Sequence, residues 1–110
     1  GVAAPLQEMM LQSWDGALRI FPAWPRTLDA RFENFRAEGA FLVTAAWSQG
    51  QVSELSLRSE KGSLCRVYSP WPSGLRVTDI ANNDVPMATD PFGRPQFATQ
   101  PGMEYRLQPR

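Results

Sequence analysis

The chain contains no histidine and a single cysteine, Cys65. The lone thiol excludes an internal disulfide, and the missing imidazoles exclude a zinc site of the usual His/Cys kind. They also leave no base of the usual type to activate a serine nucleophile. No apolar run approaches the roughly 20 residues that a membrane-spanning helix needs, and no charged segment leading into an apolar one opens the chain. Charge of one sign is missing too. Eleven Lys and Arg balance eleven Asp and Glu among 110 residues, and the basic ones are scattered from Arg19 to Arg110, so the electrostatic footprint of a nucleic-acid binder is absent.

What is present is a change of period near the start. Leu6, Met9, Met10 and Leu11 lie among Ala3, Ala4, Gln7, Glu8 and Gln12, which predicts a short helix over residues 2–13, with Pro5 tolerable in its first turn. Gly16 supplies a stop, and the strand-like stretch Ala17–Pro25 follows at once. Such a junction reads as a cut between the last helix of a preceding domain and a β domain. From Ala17 onward nine prolines and six glycines beyond Gly16 punctuate the chain, leaving segments that suit strands rather than long helices.

Phe41, Val43, Ala45 and Trp47 alternate with Leu42, Thr44, Ala46 and Ser48. After Gln49-Gly50, Leu55 and Leu57 alternate with Glu54, Ser56 and Arg58. This predicts a hairpin whose turn uses the positive φ open to Gly50. Val52 is out of phase, which predicts a bulge near Ser53 or a longer turn. Further strands are expected at 64–69, 75–80 and 103–108, with mostly loop and short edge strands over 81–101. Strands about every 10 residues argue for an all-β fold, a small antiparallel β-sandwich.

Chemistry-bearing constellations are thin. Carboxylates such as Glu54 and Glu104 fall on polar strand faces and form no acid/base pair of the kind glycoside hydrolysis needs. Asp79, Asn82, Asn83, Asp84 and Asp90 could supply oxygen ligands to calcium, but lack EF-hand spacing and suit turns. No metal, cofactor or catalytic residue is assigned. Aromatic rings remain: Trp47 reads as core, while Trp71, between Pro70 and Pro72, is either a plug, an interdomain contact or a stacking platform for sugar. Trp14 and Trp24 flank the junction and are expected to pack between helix and β domain.

Taken together, Glu8-Met9-Met10-Leu11-Gln12-Ser13 with Asp15-Gly16, Ile20-Phe21-Pro22-Ala23-Trp24-Pro25, Phe35-Arg36-Ala37-Glu38-Gly39-Ala40-Phe41-Leu42-Val43, Trp47 before Gln49-Gly50, Ser59-Glu60-Lys61-Gly62-Ser63-Leu64-Cys65 and the closing Gly102–Leu107 resemble the C-terminal region of glycoside hydrolase family 95. Trp14 stands where that family often has histidine, and Ala40 where it has glycine. The family's members are mainly α-L-fucosidases, with an (α/α)₆ barrel that carries the catalytic carboxylate. The resemblance implies that residues 1–14 are the terminal helix of an upstream catalytic barrel in a bacterial glycoside hydrolase of carbohydrate metabolism. Residues 15–110 would be a catalytically silent β-sandwich that braces it. It carries over no catalytic residue to this chain. The alternatives are a carbohydrate-binding module in which Trp71 or Tyr105 stacks on glycan, or an independent protein-interaction domain. Self-association through residues 6–11 and a periplasmic or secreted parent are further expectations.

Overall fold

The structure, a computed structural model, describes residues 4–110. One short helix, α1 (Ala4–Met10), leads into β1 (Leu11–Gln12), β2 (Arg19–Ile20), β3 (Ala30–Ala37), β4 (Phe41–Ser48), β5 (Gln51–Ser59), β6 (Cys65–Arg66), β7 (Leu75–Asp79), β8 (Asp84–Val85), β9 (Ala88–Thr89), β10 (Pro95–Phe97) and β11 (Glu104–Pro109). A six-stranded antiparallel sheet in the order β3-β4-β5-β11-β7-β8 forms one layer. The pair β1-β2 and the three-stranded sheet β6-β10-β9 supply the other strands. The fold is therefore all-β, an unequal sandwich.

The alternation expected of β4 and β5 sets the core. Val43 pairs with Leu57, Ala45 with Leu55 and Phe41 with Ser59, and all six are buried. On the next strands Tyr105, Leu107 and Val77 continue that face. Leu11, Leu18, Ile20, Phe21, Cys65, Val67 and Phe97 close it from the smaller layer, in one continuous cluster. The turn between β4 and β5 has Gln49 at φ 55° and Gly50 at φ 80°, the two left-handed residues of a two-residue hairpin loop. Ala46 pairs with Glu54 and Trp47 with Val52, so the expected bulge sits at Ser53.

Several expectations change. The helix ends at Met10 rather than Ser13, because Leu11 pairs with Ile20 and Gln12 with Arg19; burying Leu11 in a ladder outweighs its helix propensity. Residues 2 and 3 of the expected helix lie outside the described residues. A boundary after residue 14 would run between the two partners β1 and β2. Of the stretch Ala17–Pro25, Arg19–Ile20 alone is strand, since Phe21 takes φ 50° and turns the chain away. The strand expected over 64–69 shrinks to Cys65–Arg66, with Val67 bridging in parallel to Leu18.

Candidate docking surface around Arg19

The strand pairing of Gln12 with Arg19 places Arg19 on the outward side of the β1-β2 ribbon, opposite buried Leu11 and Ile20. Gln12 reaches back to α1, its Nε2 donating to the carbonyl of Glu8 at 3.1 Å. The Arg19 guanidinium is held by Asp15, to which Nη1 donates at 2.7 Å, and it also donates to the Tyr68 hydroxyl at 3.1 Å. Its carbon lies 4.3 Å from the centre of the Tyr68 ring and 5.2 Å from that of Trp14, within range for cation–π attraction to both. Trp14 is 73% exposed.

A second arginine extends this arrangement. Arg94 Nε donates to Asp90 at 2.6 Å, its Nη1 lies 3.7 Å from Asp15, and its guanidinium carbon sits 5.4 Å from the centre of the Phe92 ring. Phe92 is 83% exposed. Asp90 is the buried anchor: it also accepts from the backbone N–H groups of Phe92 and Arg94 at 2.9 and 2.8 Å. Burial alone would raise its pKa, but those backbone bonds and the Arg94 side chain outweigh it and hold the carboxyl below its ordinary value. Asp15 is likewise depressed, chiefly by the Arg19 hydrogen bond.

Next to this network, Arg66 Nε and Gln96 Oε1 are buried without a hydrogen-bond partner. The two residues are opposite one another on β6 and β10. Arg66 Nε lies 3.7 Å from Asp90, an ion pair too long to be a hydrogen bond.

The aromatic residues singled out in the sequence are dispersed. Trp14 belongs to this surface. Trp24 closes its own loop, with its ring edge-on to Phe21 at 5.8 Å and its Nε1 donating to the carbonyl of Leu28. Trp71 and Tyr105 are buried, at 7% and 5% exposure. Trp71 Nε1 donates to the Val52 carbonyl and the Tyr105 hydroxyl accepts from Gln100 N–H. Both rings are thus covered, and of the readings open for Trp71 the burial favours the plug. Trp47, expected in the core, is half-buried at its margin.

The outer face of the six-stranded sheet is an open trough of about 1020 Å³ that includes Arg31, Thr44, Glu54, Ser56, Arg58 and Arg106 in its lining. Arg31 engages both Glu33 and Glu54 there, so these carboxylates are not a free acid/base pair. The Asx residues serve turns: Asp79 accepts from Ala81 and Asn83 N–H at 2.9 and 3.0 Å. Among the described residues no group of three His, Cys, Asp or Glu could hold a metal ion.

Arg19, Tyr68, Phe92 and Arg94 were not singled out from the sequence. The available signal was the repeated spacing Asp15-Gly16…Arg19 and Asp90…Gly93-Arg94, each a carboxylate folded back on an arginine across a glycine turn.

No curated protein matches the chain. A family model described as the C-terminal domain of glycoside hydrolase family 95 matches residues 12–107. The match begins within β1 and ends within β11, so it takes in all three sheets. The chain thus belongs to glycoside hydrolase family 95, as the C-terminal domain of such an enzyme.

Proposed function

We propose that this domain is a catalytically silent brace for the catalytic domain of its parent enzyme, which resembles an α-L-fucosidase. The observation that carries this reading is the direct entry of the chain from helix into sandwich. α1 passes into β1 with no intervening residue. Phe21 N–H donates to the Met10 carbonyl at 2.7 Å, Leu11 is buried in the core, and Ser13 Oγ accepts from Glu38 N–H at 2.9 Å. A binding module that samples glycan on a tether would instead be joined through a Gly-, Ser- or Pro-rich linker. The helix thus ends on residues bonded into the sandwich, which couples the domain to the segment that precedes it.

The dispersed aromatic rings and the engaged carboxylates support the silent part of the reading. The purified chain should not hydrolyse aryl α-L-fucosides or α-L-galactosides. The brace itself is tested by inserting a short Gly-Ser segment between Met10 and Leu11 in the full-length enzyme. Bracing through this junction requires thermal inactivation at a lower temperature than wild type. Unchanged inactivation, with the sandwich still folded, would contradict it.

A further inference from the structure

We infer that the face built from Trp14, Arg19, Tyr68, Phe92 and Arg94 is the surface on which the parent's own catalytic domain docks. This inference rests on the bracing reading and names the contact that the brace uses. Continuity with the entry helix favours that occupant. Arg19 is the strand partner of Gln12, which is itself bonded to the last turn of α1. The helix through which an upstream domain is joined therefore ends beside this face.

The composition suits a protein partner. The exposed rings of Trp14, Tyr68 and Phe92, with part-buried Arg19 and Arg94 among them, are residue types enriched at protein interfaces. The two arginines are held before any partner arrives, Arg19 by Asp15 and Arg94 by Asp90, so little of their side-chain freedom remains to be lost on docking. The rings of Trp14 and Tyr68 gather around one guanidinium and form a patch. Three arginines, Arg19, Arg66 and Arg94, face two aspartates, Asp15 and Asp90. The partner chemistry that fits is an apolar surface carrying acceptor groups, carboxylate or carbonyl.

Hydroxyl-radical footprinting of the full-length enzyme tests this without any substitution, because the domain contains its own references of identical chemistry. Trp14 is 73% exposed in the domain against 7% for Trp71, and Phe92 is 83% exposed against 2% for Phe97. If the catalytic domain covers this face, Trp14 and Phe92 are oxidised in the full-length enzyme at rates close to those of Trp71 and Phe97. Oxidation of Trp14 and Phe92 severalfold faster than those references would overturn the surface. The two readings fail separately. Fast oxidation of Trp14 removes this face even from an enzyme that unfolds in one transition. Slow oxidation in an enzyme whose two domains unfold independently keeps the contact and removes the brace.

Discussion

The indole Nε1 of Trp71 donates to the carbonyl oxygen of Val52 at 2.9 Å, inside the core. Val52 lies beside the bulge at Ser53 and beyond Ser56–Arg58, the stretch of β5 that pairs with β11, so the indole supplies a donor where the ladder supplies none. Ser69 Oγ fixes the loop that delivers it, accepting from Trp71 N–H at 3.2 Å and donating to the Trp71 carbonyl at 2.8 Å. Trp71→Ala should therefore destabilise the domain by about 3–5 kcal/mol through the cavity it leaves. Trp71→Phe should cost roughly 1–3 kcal/mol, mainly for the unpaired carbonyl. Denaturant unfolding of the two variants measures both.

The segment Ser59–Cys65 has a specific structural use. Ser59 Oγ accepts from Gly62 N–H at 2.9 Å and is 2.8 Å from Thr99 Oγ1, which donates to the Ser63 carbonyl. Gly62 has φ +77°, and a Cβ there would lie 2.7 Å from Cδ of Pro101. Gly62→Ala combines left-handed strain with a clash against a ring, and a loss of about 1–3 kcal/mol is expected. Thermal melting of the variant should show a fall with the cooperative transition retained.

Acid should weaken the domain through a defined set of carboxylates. Asp15, Asp79 and Asp90 all have folded-state pKa values below the ordinary 3.8. For Asp79 the principal cause is the backbone hydrogen bond from Asn83. A depressed pKa contributes stability that is fully present above the unfolded value and is lost as pH falls through the folded one. Stability should thus be insensitive to these groups near neutrality and decline below 3.8. Asp90→Asn should lower stability at neutral pH and flatten the decline, as followed by urea unfolding at a series of pH values.

Cys65 is fully buried, and burial pushes its thiol pKa up to about 12. The thiolate is the reactive form, so iodoacetamide at mildly alkaline pH should label the folded chain negligibly and label it fully in denaturant. Rapid labelling of the native chain would show that the β6-β10 layer opens.

The β4-β5 hairpin and its bulge are legible because the information is local: a two-residue turn and a period of two that slips once, at Val52. β3 is not. Asn34 takes φ 54°, and the register shifts between Phe32 and Phe35, so the inward phenylalanines stand three apart and the alternation disappears. The ring pair that results, stacked at 4.5 Å, is a tertiary consequence. The smaller sheet is illegible for another reason: Cys65 pairs with Phe97 across a long loop, and two- or three-residue strands carry almost no periodic signal. The docking face is the extreme case, since it gathers side chains at positions 14, 19, 68, 92 and 94 that no single motif contains. Trp71, open in the sequence between a plug, an interdomain contact and a stacking platform, lies buried with its Nε1 bonded to the Val52 carbonyl, a partner distant in sequence.

The most direct test of the brace is calorimetry of the full-length enzyme carrying Trp71→Ala, a change confined to the interior of this domain. If the domain braces the catalytic domain, both unfold together at a lowered temperature, and glycoside hydrolase activity is lost at that same temperature. A catalytic-domain transition and activity loss that stay at the wild-type temperature, while the C-terminal domain melts earlier by itself, would contradict the account.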